Sequence, residues 1–248
     1  MRFVLLHYHI YKNAGMSVEE VLDRNFGERF CRLDSPDPNG RVENAELIGF
    51  LEQNPHLEAV SSHQLRYPVP AAPGFLFFDI SFLRDPLDRV RSIYDYAREK
   101  PVPGDKVSDL ANQLEPAAFI NHLLALMPHW ICNAQVDFLA GGTGRNALEQ
   151  ATHRILQASF LGVVDLFEQS LAAAKFFLRP VFPGLRCPVP AVNVSRGLEG
   201  SLAERKSRLR DACGSRLYAE LEARNTLDLE LLDRARTEVL RRFNRASL

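Results

Sequence analysis

RFVLLHYHIYKNAGMSVEEVLDRNF, residues 2–26, joins two periodicities through a short polar loop. Residues 2–10 are an almost unbroken apolar and aromatic run, the pattern of a strand buried on both faces of a parallel sheet. Residues 17–25 switch to helical spacing. Between them Lys12, Gly15 and Ser17 occupy a strand-to-helix junction without forming the G-x-x-x-x-G-K-[ST] phosphate loop. Consecutive backbone N–H groups from Asn13 to Ser17, at the positive end of a helix, would curl around an anion. Gly15 would let the backbone turn, and Lys12 would add a full charge. The S-x-x-E spacing of Ser17 and Glu20 equally fits a capping box that closes a plain turn.

The same alternation runs along the chain. Residues 44–54 read as a helix, 57–63 as a short strand and 75–83, FLFFDISFL, as a second strong buried strand. The following helix has Asp85 as N-cap, Pro86 at its first position and an apolar face at Val90, Ile93, Tyr94 and Ala97. Residues 101–109 read as a surface excursion, 114–127 and 146–158 as helices around a turn at 141–144. A strand at 160–164 leads into a helix at 166–178. A Pro-rich irregular stretch follows, and from Ser201 the chain is helical to its end. Strands alternating with helices predict an α/β layer fold with a mainly parallel sheet. Ligands of such sheets collect beyond the carboxyl ends of the strands. The polar residues there are Tyr11 to Ser17, His63, Arg84 and Asp165.

With 248 residues, 46% hydrophobic and 25% charged, the chain can build its own core without staples. One domain spanning 1–248 is expected, with a helical C-terminal part at about 200–248. A net charge of -1 argues against a nucleic-acid partner or a membrane-surface field, so any anion site must be local. Cys31, Cys132, Cys187 and Cys213 have no metal-like spacing and read as buried thiols of a reducing compartment, with two disulfides as the alternative. No stretch approaches the length of a membrane span, and residues 1–10 lack the marks of a signal peptide. A cytoplasmic protein without stable membrane insertion is expected.

Arg84 stands at a strand's carboxyl end and cannot lose its charge, which suits a phosphate dianion. Ser92 lies two turns into the next helix, off its apolar face. The plainer alternative makes Arg84 a surface ion-pair partner of Asp85 or Asp88 and Ser92 a filler. Taken with the Lys12 loop, Arg84 implies two separated anion subsites, as a nucleotide with phosphates at both ends of its ribose requires.

HIYKNAGMS and FLRDPLDRVRSIYDY together resemble the PAPS-dependent sulfotransferases of the family-2 carbohydrate type, which includes heparan sulfate 2-O-sulfotransferase. PAPS is 3′-phosphoadenosine 5′-phosphosulfate. The family motifs run approximately H-I-P-K-T-A-G-T-S and F-L-R-D-P-x-x-R-x-x-S-x-Y. SSHQLRY, NAQVDFLAGG, FLGVVDLFEQSL and VNVSR echo later blocks in order, so the resemblance covers about residues 3–196. It implies a P-loop-like three-layer fold with the sheet flanked by helices. It also implies that Lys12, Asn13, Ala14, Gly15, Met16 and Ser17 bind the 5′-phosphosulfate and that Arg84 and Ser92 bind the 3′-phosphate. His63 matches the catalytic histidine, and Asn193 and Ser195 fall in a late nucleotide-closing segment. Tyr11, Asn13 and Met16 depart from the family's Pro, Thr and Thr, and Asp137 replaces an Arg.

The implied activity is transfer of a sulfuryl group to an acceptor hydroxyl, on a carbohydrate. His63 would be the base, since its reference pKa lies near neutrality, and Lys12 would stabilise the leaving phosphate. No metal is expected. Two alternatives remain: a non-catalytic nucleotide-binding protein of the same fold, and a P-loop-like kinase, which would need a Lys-Ser/Thr pair after a Gly-rich loop.

Overall fold

The computed structural model describes residues 1–37, 40–187 and 200–247. Five strands, β1 (Arg2–Tyr8), β2 (Phe30–Arg32), β3 (Ala59–Ser62), β4 (Phe75–Leu83) and β5 (Phe160–Val163), form one sheet in the order β2-β3-β1-β4-β5. Every pairing is parallel. With helices flanking this sheet, the α/β reading is correct and agrees with a three-layer arrangement. The strand order reverses at β1: the chain fills one side through β2 and β3, then the other through β4 and β5. The loop after β1 therefore opens at a switch point of the sheet.

Eleven helices are described: α1 (Gly15–Phe26), α2 (Asn44–Gln53), α3 (Pro86–Glu99), α4 (Lys106–Gln113), α5 (Pro116–Leu126), α6 (Ala134–Ala140), α7 (Ala147–Gln157), α8 (Phe167–Leu178), α9 (Leu202–Cys213), α10 (Ser215–Ala223) and α11 (Thr226–Ala246). None is long and apolar enough to cross a membrane. Contacts divide the chain into two compact units. The first holds the whole sheet with α1, α2, α7 and α8, residues from Val136 onward to α8, and the chain from Asp233 on. The second runs from Arg84 to Gln135 and includes α9, α10 and α11 as far as Leu232.

In the first unit, α1 turns Val18, Val21, Leu22 and Phe26 onto Leu5, Ala59, Ile80 and Phe82 of the sheet, and α8 adds Leu171, Ala174 and Leu178 to the same cluster. Burying a side chain of this size contributes about 1.5–3 kcal/mol. The opposite sheet face carries Tyr8, whose ring stacks on Tyr67 at 4.1 Å. The Tyr67 hydroxyl donates to Asp79 Oδ2 at 2.8 Å. From α7, Arg154 covers the Tyr67 ring at 5.6 Å. In the second unit, Asp85 caps α3 as expected: its Oδ1 accepts from the N–H groups of Leu87 (3.0 Å) and Asp88 (3.1 Å), with Pro86 at the first helical position. The buried face of α3 includes Val90, Ile93, Tyr94 and Ala97, the residues read from the sequence.

Several boundaries differ. β1 ends at Tyr8, because Ile10 N–H turns back to the Tyr8 carbonyl. β2 was not read from the sequence, since three residues give no period. The excursion at 101–109 contains the start of α4, whose N-cap Asp105 accepts from Ser108 N–H at 2.8 Å. The four cysteines are free thiols but only partly buried.

Gly162 in β5 is held small by its neighbour: a Cβ there would lie 2.3 Å from the Phe82 ring of β4. Gly162→Ala should lower stability by about 1–3 kcal/mol through overpacking. Urea unfolding, with the midpoint reduced and the slope unchanged, would register it.

Candidate functional site

The loop after β1 differs in detail from the expected anion turn. α1 begins at Gly15, with Ala14 as N-cap in the left-handed region (φ 60°) and no side-chain cap. Ser17 is therefore inside the helix, its N–H bonded to the Ala14 carbonyl at 3.0 Å, and the Ser17–Glu20 capping box does not form. Glu20 pairs instead with Arg24 one turn on. The left-handed angles fall on Lys12 (φ 66°) and Ala14, not on Gly15. Each costs a non-glycine residue about 1–2 kcal/mol.

Gly15 is required for a different reason. A Cβ on it would lie 1.8 Å from His9 Nε2, so the missing side chain is the space the His9 imidazole occupies. Asn13 also has a structural role: its side-chain amide donates to the Phe82 carbonyl of β4 at 2.8 Å, and its N–H returns to the Ile10 carbonyl at 3.1 Å. The expected run of N–H donors from Asn13 to Ser17 thus shortens to Ala14, Gly15 and Met16, at the positive end of α1. The Met16 side chain is exposed.

His63 directly follows β3, at the carboxyl edge of the sheet. Asp34 fixes the corner by accepting from His63 N–H (2.9 Å) and the Ser62 hydroxyl (2.9 Å). His63 Nδ1 lies 2.9 Å from the His9 carbonyl. A carbonyl only accepts, so Nδ1 carries the proton and Nε2 keeps the lone pair. The His63 and His9 rings lie 3.7 Å apart, and the His9 and His7 rings stack at 5.0 Å. Tyr11 links His63 to the loop: its ring is 6.1 Å from that of His63, and Lys12 Nζ is 5.9 Å from the Tyr11 centroid. Lys12 and His63, the two residues expected to be catalytic, thus each approach the same Tyr11 ring in the first unit.

Beneath them lies a polar group the sequence reading passed over. Glu19 of α1 is buried and accepts from His9 Nδ1 (3.0 Å), the Ser61 hydroxyl (2.8 Å) and Arg32 Nε (2.6 Å). Ser61 gives its proton to the carboxylate, so its oxygen receives His7 Nδ1–H at 2.9 Å. Burial would raise the Glu19 carboxyl, but the bonds from His9 and Ser61, the His9 charge and the Arg32 bond outweigh it and hold it at about 2. His63 is driven down to about 4, first by burial and then by His9, against the opposing pull of Asp34 and Glu19. His7, fully enclosed, is lowered chiefly by burial as well. The one helical signal for Glu19, an acid on the buried side of α1, is visible only once the helix start is known.

Arg84 and Ser92 belong to the second unit. The Arg84 backbone exchanges hydrogen bonds with the Gln135 side chain, at 2.9 and 2.8 Å. Its Nε donates to Asp88 Oδ2 at 2.8 Å, and Asp88 also accepts from Arg205 Nε at 2.7 Å. Lys206 Nζ lies 3.2 Å from Asp85 Oδ2. Arg84 is thus a buried ion-pair partner of Asp88, not a surface one, in a group where three cations meet two carboxylates. Burial tends to raise the Asp88 carboxyl, yet its bond to Arg205 and the Arg84 charge hold it below the ordinary range. Ser92 is buried one turn beyond Asp88. Asn193 and Ser195 lie outside the described residues.

No family model matches the chain. It is similar to an uncharacterized protein of Archaeoglobus fulgidus, with 27% identity over 242 residues that cover 94% of this chain and 96% of that one. The likeness runs through nearly the full length of both.

The histidine group sets a pH dependence of stability. An unfolded histidine titrates near 6.5, and the folded His63 near 4. The unfolded chain therefore takes up the proton first as pH falls, so the stabilisation present above about 6.5 is lost between 6.5 and 4. Glu19, lowered to about 2, adds its loss only below about 4.5. The urea midpoint should fall between pH 6.5 and 4.5, and His63→Gln should flatten that fall. An identical pH profile in the variant would contradict the assignment.

Proposed function

We propose that the protein is an enzyme that transfers a sulfuryl group from PAPS to an acceptor hydroxyl on a carbohydrate. The observation that supports this reading is that Lys12 and His63 both approach the Tyr11 ring beyond the carboxyl edge of the sheet, with the His63 lone pair on Nε2. In this reading the N–H groups of Ala14, Gly15 and Met16, with the positive end of α1, receive the 5′-phosphosulfate oxygens. Lys12 meets the charge that develops on the leaving phosphate. The family resemblance assigns the 3′-phosphate to Arg84 and Ser92, and there Asp88 would compete with the phosphate for Arg84.

The reaction forms a bond from the acceptor oxygen to sulfur and breaks the bond from sulfur to the bridging phosphate oxygen. The acceptor proton passes to His63 Nε2, and 3′-phosphoadenosine 5′-phosphate leaves. A loose transfer of this kind depends mainly on positioning and on electrostatic stabilisation. A histidine lowered to about 4 is unprotonated at neutral pH, so the acid limb of kcat/KM should lie near 4 instead of near 6.5. Of the departures from the family pattern, Asn13 straps the loop to β4 and Tyr11 lies beside His63.

Calorimetry should show metal-independent binding of 3′-phosphoadenosine 5′-phosphate and weaker binding of ATP with magnesium. A preference for ATP would sink the proposal in favour of a kinase. Turnover of labelled PAPS with a panel of glycans should fall about 10²–10⁴-fold in His63→Ala while donor affinity holds. Lys12→Ala should abolish turnover, and Arg84→Ala should chiefly weaken the donor. Tight nucleotide binding with no turnover on any glycan would instead identify a non-catalytic nucleotide binder.

A further inference from the structure

We infer that Glu19 is a positioning residue for His63, holding its ring plane and its Nδ1–H tautomer through His9. The inference rests on the reading of His63 as the base. His9 touches His63 in two ways at once: its carbonyl accepts His63 Nδ1–H at 2.9 Å, and its ring lies against the His63 ring at 3.7 Å. Both contacts require the His9 side chain and backbone to stay in register. On one side that register is set by Gly15, where a Cβ would come within 1.8 Å of His9 Nε2. On the other it is set by Glu19, which accepts His9 Nδ1–H at 3.0 Å. His9 is therefore gripped between a helix backbone and a helix carboxylate from the same turns of α1.

Glu19 is itself immobilised. Ser61 of β3 and Arg32 of β2 fill its remaining acceptor positions, and Ser61 passes the connection on to His7 of β1. Three parallel strands are thus linked through one buried carboxylate. The charged and titratable groups around His63 are His9, Asp34 and Tyr11, with Lys12 beyond Tyr11 and, behind His9, Glu19 with Arg32 and His7. Among these Glu19 both fixes the neighbour that holds His63 and favours its imidazolium.

His7, His9 and Glu19 each offer a ligand atom within 4.8 Å of the others. In the hydrogen-bonded arrangement the Ser61 hydroxyl bridges His7 to Glu19 and both Nδ1 atoms donate. The arrangement is a hydrogen-bonded support.

Glu19→Gln keeps the size of the side chain and an acceptor oxygen, but it removes the charge and sets an amide against Arg32. Nitrogen NMR of the folded, substrate-free protein reads the His63 tautomer directly. The expected result is a single Nδ1–H form in the wild type and a mixture in the variant. Alongside it, kcat should fall about 10–100-fold, the scale seen when the hydrogen-bond partner of a metal-bound histidine is lost. Donor affinity should stay within about twofold, and the acid limb of kcat should move to lower pH because the carboxylate favouring the imidazolium is gone. Glu19→Asp, which keeps the charge at a shorter reach, should recover part of the loss. Should Glu19→Gln fail to fold, Arg32→Met, at a largely exposed side chain, should produce the same shifts at smaller size. Wild-type tautomer, kcat and pH limb in the folded variants would overturn the role of Glu19. The NMR readout needs no substrate, so full turnover by His63→Ala would dismiss the base while still leaving the positioning question decided.

Discussion

The His9 imidazole occupies the volume that any side chain at position 15 would need. This close approach ties the end of β1 to the first turn of α1 and fixes where the helix can start. It also explains the conformation of the loop. With Gly15 already helical to admit the ring, the sharp change of direction has to be made earlier, at Lys12 and Ala14, in angles that glycine would adopt more easily. The strain is tolerated because Asn13 is strapped to β4.

The division of labour along the chain follows from the sheet. β1 lies centrally, so its alternate residues serve two different interiors. Leu5, His7 and then His9 look toward α1, while Tyr8 looks toward Tyr67 and α7. Placing three imidazoles on one side would be costly if each were charged. Burial resolves it by keeping His7 and His63 neutral and by giving Glu19 the compensating charge at the base of the group.

The fold was legible because parallel strands buried on both faces leave long apolar runs, and the helices between them keep their own period. Length limited the reading at β2, where three residues cannot display alternation. The S-x-x-E pattern occurs twice with opposite outcomes. At Ser201 and Glu204 it makes a true capping box, whereas at Ser17 and Glu20 a tertiary contact two residues earlier has already started the helix. Lys12 and His63 could be found because their place at strand ends is a local property. Glu19, Asp34 and the strapping function of Asn13 could not, since each depends on partners brought near by the sheet: Ser61, His63 and Phe82. Arg84 was recognised as a cation at a strand end, but its pairing with Asp88 and the arrival of Arg205 are set by the packing of α9 on α3.

The sheet's ends also bear on how molecules of this protein meet one another. Among the described residues its outer strands are short, three residues in β2 and four in β5, and β5 covers only Ile80–Leu83 of the nine-residue β4. An unpaired edge is a template onto which a foreign strand can add, and its hold grows with the number of backbone groups it exposes. Among the described strands β2 and β5 therefore offer few rungs to another copy, and the longer open stretch is Phe75–Asp79 of β4, which pairs with β1 on one side and lies beyond the end of β5 on the other.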